Sequence, residues 1–145
     1  MKKPVFTGAA VAIVTPFLDE NTINYDEFGK IIDHQIANGT DAIVVMGTTG
    51  ESPTCPEDEH EAAISFCCEY VGGRVPVIAG AGSNDTRTAV KLTKSAKASG
   101  ADAVLSVTPY YNKSTQRGLI AHFNAIADCE CPVILYNVPA GMCIS

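Results

Sequence analysis

The feature that most constrains the fold is a regular exchange between short β-branched runs and longer amphipathic stretches. Runs such as residues 42–46 and 103–107 are apolar at nearly every position, as strands buried on both faces are. Strands are expected at about residues 10–14, 42–46, 75–79, 103–107 and 133–136. Their starts lie about 30 residues apart, the length of one strand–helix–strand unit. Strands joined through helices rather than tight turns run parallel.

The intervening stretches carry helix punctuation. The first helix is expected from about Tyr25 with Asn24 as its N-cap, Phe28, Ile31, Ile32 and Ile36 at helical spacing, and a stop near Asn38-Gly39. The second starts near Glu57-Asp58 after Pro56, with acidic residues favoured in its first turn. Ala63, Phe66, Cys67, Tyr70 and Val71 form its apolar stripe, and Gly72-Gly73 end it. The third spans about residues 85–99. The fourth spans about residues 115–128, with Leu119, Ile120, Phe123, Ile126 and Ala127 on one side.

An internal repeat narrows the fold class. Gly39-Thr40-Asp41-Ala42-Ile43-Val44 enters the second strand, and Gly100-Ala101-Asp102-Ala103-Val104-Leu105 enters the fourth. Val75-Pro76-Val77-Ile78 enters the third, and Cys131-Pro132-Val133-Ile134 enters the fifth. Alternate strands begin alike, and in a (β/α)8 barrel alternate strands share interior layers. A doubly wound sheet is the competing architecture, but no Gly-x-Gly-x-x-Gly follows any strand. The expected fold is α/β: half of a (β/α)8 TIM barrel, about four and a half β-α units with parallel strands, as a single domain over residues 1–145.

Such a half cannot close eight strands, so its first and last strands should present open edges. Two copies about a two-fold axis would cover them, which predicts a homodimer or higher homo-oligomer. A complementary C-terminal half would solve the same problem.

Composition removes several functions. A net charge of −6 opposes a nucleic-acid surface. No run approaches the roughly 20 apolar residues of a membrane span, and Met1-Lys2-Lys3-Pro4-Val5 turns polar too early for a signal peptide. The expectation is a soluble cytoplasmic protein acting on small molecules, without metal or cofactor. The six cysteines, Cys55, Cys67, Cys68, Cys129, Cys131 and Cys143, contain no Cys-x-x-Cys. Cys67 and Cys68 read as small helix hydrophobes, whereas Cys129 and Cys131 flank a turn where a reactive thiol is conceivable, although nothing near them in sequence would clearly lower their pKa. His34, His60 and His122 fall in helices away from the strand ends, where exposed or satisfied roles are expected. Glu57, Asp58, Glu59 and Glu61 read as a solvated helix start.

Parallel α/β folds collect their chemistry at the C-terminal ends of strands. There the sequence places Thr15-Pro16, Gly47-Thr48-Thr49-Gly50-Glu51, then Gly80, Gly82 and Asn84. Thr108-Pro109-Tyr110-Tyr111-Asn112-Lys113 and Tyr136-Asn137-Val138-Pro139 follow. Residues 47–52 admit two readings. Their glycines, adjacent hydroxyls and amides suit a small carboxylate without a full positive charge. Alternatively, the threonines bond only to their own backbone. Tyr110, Tyr111 and Tyr136 are phenols able to relay protons, and equally able to serve as core or interface residues.

Taken in order and at barrel spacing, these motifs resemble the dihydrodipicolinate synthase and N-acetylneuraminate lyase family over its N-terminal half. The carriers are residues 8–16, Gly47-Thr48-Thr49-Gly50-Glu51-Ser52, Val75-Pro76-Val77-Ile78-Ala79-Gly80, Thr108-Pro109-Tyr110-Tyr111-Asn112 and Tyr136-Asn137-Val138-Pro139. The tyrosine pair looks more like the synthase branch. The resemblance implies lyase chemistry: pyruvate forms a Schiff base with a lysine, becomes an enamine and adds to an aldehyde, aspartate semialdehyde in the lysine-biosynthetic branch. It implies that Thr49, on the loop opened by Gly47, holds the pyruvate carboxylate. Thr48, Tyr111 and Tyr136 would form a proton relay, with Tyr111 reaching a neighbouring subunit and Tyr110 packing that interface.

The same resemblance exposes two departures. The family's Schiff-base lysine lies on a sixth strand, and the chain reaches Ser145 without one. Among Lys2, Lys3, Lys30, Lys91, Lys94, Lys97 and Lys113, only Lys113 falls in a strand-end loop, where it is expected to face solvent. The family synthase also follows Tyr-Asn-Val-Pro with a small residue and Arg-Thr. Here Pro139 is followed by Ala140-Gly141-Met142, without the arginine for the aldehyde's carboxylate. The expectation is a half-barrel inactive by itself, with assembly with a C-terminal half or a carboxylate-binding scaffold as alternatives.

Overall fold

A computed structural model describes residues 4–19 and 21–138. Its strands are β1 (Ala10–Ala12), β2 (Ala42–Val45), β3 (Val77–Gly80), β4 (Ala103–Val107) and β5 (Val133–Tyr136), and its helices are α1 (Tyr25–Ala37), α2 (Glu57–Val71), α3 (Thr86–Ala98) and α4 (Gln116–Ala127). All strand pairs are parallel, and the sheet order is β1-β2-β3-β4-β5. Right-handed crossovers that always step in one direction put every helix on the same side of the sheet. A doubly wound sheet would reverse direction and place helices on both sides. The result is a curled half-barrel with a helical outer layer.

The helices begin within about one residue of their expected starts, and α1 does so on the expected Asn24 cap. Asn24 accepts from the Glu27 amide at 3.0 Å, Asp85 from Arg87 at 3.1 Å, and the Thr115 hydroxyl from Gly118 at 3.2 Å, each satisfying a first-turn donor. Helix α2 instead begins after Pro56 with three acidic residues in its first turn, and ends on Gly72 in the left-handed region at φ 57°.

Period-two alternation sorts the strands into two apolar layers. Ile43, Val45, Val77, Ala79 and Val104 belong to the main core with Phe28 and Ile32 of α1 and Ala63, Ile64, Cys67 and Val71 of α2. Ala42, Val44, Ile78 and Ala103 form a second cluster, with Val5 and Phe6 packed against it. Val44 pairs with Ile78 and Ile78 with Ala103, so this inner layer is continuous across three strands.

Among the described residues β1 and β5 are the sheet's edges, and Leu135 is 63% exposed. Several expectations about side chains need correction. Ile120 and Ala127 of α4 are likewise exposed rather than core. Tyr70 is not a core residue but a partly exposed lid on the α1–α2 contact. A Cβ on Gly29 would lie 2.7 Å from the Tyr70 ring, which stacks on Phe66 at 5.4 Å and donates its hydroxyl to Asp33 at 2.8 Å. Ile64 occupies the buried position instead.

Cys129 and Cys131 are buried rather than exposed turn thiols, and burial raises the Cys131 pKa. Cys67 behaves as expected: burial pushes its thiol up to about 12. Cys143 and the stretch from Pro139 to Met142, where the resemblance implies a missing arginine, lie outside the described residues. Among the described residues no helix is long and apolar enough to cross a membrane.

His122 lies on α4, away from the strand-end cavity. It is buried between α3 and α4, with Nδ1 2.8 Å from the Thr86 hydroxyl and Nε2 without a partner among the described residues.

Two stability measurements check this packing. A Cβ on Gly80 would collide with the Met46 carbonyl, whereas one on Gly47 meets nothing closer than 3.8 Å. Urea titration should therefore find Gly80→Ala destabilised by about 2–3 kcal/mol or more, and Gly47→Ala within about 0.5 kcal/mol of the parent. Burial lowers the His122 pKa below its ordinary value of 6.5. The unfolded chain then takes up a proton that the folded chain resists, so stability is complete above pH 6.5 and declines on acidification below it. In the same titration, His122→Gln should flatten that decline between pH 7 and 5; an unchanged slope contradicts the assignment.

Candidate active site

The C-terminal strand ends gather five loops around one rim of the sheet. Strand β2 gives way to Met46 at φ 52°, a left-handed turn uncommon for a non-glycine residue. Gly47 is extended, Thr48–Gly50 forms a 3-10 turn, Glu51 is left-handed at φ 63°, and Ser52–Thr54 forms a second 3-10 turn. Inside this loop the Gly50 amide donates to Gly47 O at 2.9 Å and the Glu51 amide to Thr48 O at 3.0 Å. Among the described residues, neither the amides nor the hydroxyls of Thr48 and Thr49 make a hydrogen bond. The threonines therefore do not spend their hydroxyls on their own loop.

Close packing fixes where this loop begins. A Cβ on Gly80 would also come within 2.9 Å of the Gly47 nitrogen, and one on Gly82 would lie 2.5 Å from the Val107 nitrogen. Glycine lets adjacent strand ends approach at both positions. From β1, the Thr15 hydroxyl donates to Gly50 O at 2.7 Å.

The later loops are tied to one another. Asn84 Nδ2 donates to Asn112 Oδ1 at 3.2 Å, and Asn112 Nδ2 donates to Asn84 O at 2.8 Å. This pair flanks Tyr110 and Tyr111. Tyr111 is left-handed at φ 67° and 91% exposed, so it projects away from its own loop. Tyr136 ends β5 on the face shared with Val107, while Thr108 donates its amide to Tyr136 O at 2.9 Å and its hydroxyl to Asn137 Oδ1 at 3.3 Å.

A cavity of about 640 Å³ runs along these strand ends. Of the residues singled out from sequence, Gly47, Thr48, Tyr110 and Tyr136 line it; Thr49 and Tyr111 do not. Among the described residues no hydrogen bond joins Thr48, Tyr111 and Tyr136. No described lysine lines the cavity. Lys113 is exposed, and Lys30 and Lys91 are held protonated by Glu27 and Glu57 on the outer helices, the opposite of a desolvated amine nucleophile.

His60 was missed. Expected away from the strand ends, it lines the cavity from α2, is 5% exposed, and sits against the Met46 and Gly80 backbone. Burial lowers its pKa, so it is neutral at pH 7. Its spacing from Ile64, Cys67 and Val71 placed it on the buried stripe, and that periodicity was the available signal. Among the described residues no three His, Cys, Asp or Glu side chains converge as metal ligands.

The geometry finds close counterparts. The profile of the dihydrodipicolinate synthetase family matches residues 5–145. The 4-hydroxy-tetrahydrodipicolinate synthase of Acetivibrio thermocellus is 59% identical over 140 residues, covering 96% of this chain and 48% of that protein. The crystal structure of dihydrodipicolinate synthase from Aquifex aeolicus matches with a TM-score of 0.92 at 50% identity, over 97% of this chain and 48% of its own. The chloride-inhibited synthase from Acinetobacter baumannii, complexed with pyruvate, gives 0.91 at 47% identity, over 95% and 48%. The chain thus spans about half the length of the relatives it matches. Because the profile covers nearly all of its residues, this chain belongs to the dihydrodipicolinate synthetase family, whose N-terminal half it represents.

Proposed function

We propose that this chain supplies the pyruvate-holding and proton-relay side of a Schiff-base lyase site of the 4-hydroxy-tetrahydrodipicolinate synthase type, and forms no Schiff base by itself. The observation that carries this reading is the loop of residues 47–51, where two consecutive threonines keep their amides and hydroxyls unused and the first of them, Thr48, lines a cavity. A carboxylate bound there accepts several neutral hydrogen bonds, which are stronger for an ionised acceptor than for a neutral one. The pyruvate complex of the Acinetobacter baumannii relative supports pyruvate as the ligand.

In this reading Thr49 and its backbone hold the carboxylate on the loop that Gly47 opens. Thr48 and Tyr136, both on the cavity wall, serve the proton relay. Tyr111 completes the relay from a second copy, which agrees with its outward projection, and Tyr110 packs the contact between copies. The amine adds to the pyruvate carbonyl and water leaves, and that amine comes from outside residues 1–145. The setting is cytoplasmic lysine biosynthesis.

Residues 1–145 act as one half-barrel unit that self-associates. Two edge strands and the exposed side chains of Val14, Ile120 and Leu135 support this, since long-lived open edges and apolar faces recruit partners.

Calorimetry should show pyruvate binding to the chain, weakened roughly tenfold or more in Thr49→Ala, as for loss of a hydrogen bond to a charged group. Borohydride added with pyruvate should leave the chain's mass unchanged. A covalent adduct would place the amine within residues 1–145 and overturn the proposal.

A further inference from the structure

This inference rests on the reading of residues 47–51 as a carboxylate cradle. We propose that Thr15, at the end of β1, is the positioning residue that holds the cradle in its binding shape.

The loop is poorly secured from within. Met46 and Glu51, one on each side, are left-handed non-glycine residues, a conformation that persists only where surroundings impose it. Its internal bonds are the two turn contacts and a longer one from the Ser52 amide to Gly47 O at 3.4 Å. The tie from outside is stronger. Thr15 is 4% exposed, and its hydroxyl lies 2.7 Å from Gly50 O and 3.4 Å from Met46 Sδ. A hydroxyl has one proton, and the short contact to an oxygen takes it in preference to a weak sulfur acceptor.

Backbone placement explains how Thr15 gets there. The Ile13 amide donates to Val44 O at 3.1 Å, extending the β1–β2 pairing beyond the strand itself. That carries Thr15 over the turn after β2. Gly50 is pressed against it: a Cβ there would meet Thr15 Oγ1 at 3.1 Å and Ile13 O at 3.3 Å. Gly50 closes the turn whose first two residues are Thr48 and Thr49. Fixing the Gly50 carbonyl therefore fixes the direction of both unused amides, although Thr15 does not line the cavity.

The test is residue-resolved amide exchange and pyruvate titration by NMR on the chain, comparing Thr15→Val, Thr15→Ser and Gly50→Ala. In Thr15→Val the Gly50 and Glu51 amides should exchange roughly tenfold faster, while the β2 and β3 amides keep their protection. The pyruvate-induced shifts of the Thr48 and Thr49 amides should be lost, and Thr15→Ser should restore both readouts. Gly50→Ala reaches the same tie from the other side and should loosen the same amides if the valine variant fails to fold. Unchanged exchange at Gly50 and Glu51 in Thr15→Val and Gly50→Ala overturns the positioning role. So does faster exchange with an intact pyruvate response, since Thr15 would then be structural only. A parent chain whose Thr48 and Thr49 amides ignore pyruvate overturns the cradle reading, and this inference with it, whatever the exchange shows.

Discussion

Five parallel strands paired in chain order can be linked by right-handed crossovers only if every helix lies on one side of the sheet. That handedness separates the inner apolar layer from the helical core. It also brings all the strand ends to one rim, where the loops after β1 to β5 meet. Among the described residues β1 and β5 have one neighbour each. Architecture and candidate site share the one cause.

Much of this was legible from residue spacing. Apolar runs and the Asn24 cap locate their elements because the causes are local: a buried strand or a side chain beside its own amides. Misreadings arose where burial depends on a neighbour. Ile120 and Leu135 look like core residues in sequence, yet no described element covers them. Tyr70 fits the α2 stripe, but its ring passes over Gly29 to reach Asp33, a contact that spacing cannot reveal.

The site divides in the same way. Thr48, Tyr110 and Tyr136 could be singled out because strand ends are where parallel folds expose their loops, and all three line the cavity. His60 and His122 were read as exposed or satisfied residues away from the strand ends, since a polar residue on a helix usually faces water or finds a partner. Each nevertheless falls on a buried face, and burial lowers its pKa. Thr15 was visible as a strand-end residue, but its partner is Gly50, across two loops from it. Only the register of β1 on β2 makes that contact.

The central proposal is that further copies of this chain cover the edge strands β1 and β5. Sedimentation velocity on the purified chain, across a concentration series, tests it most directly. The chain should sediment as a dimer or larger assembly, and Leu135→Asp should weaken that assembly without unfolding the sheet. A stable, soluble monomer at every concentration would contradict the claim.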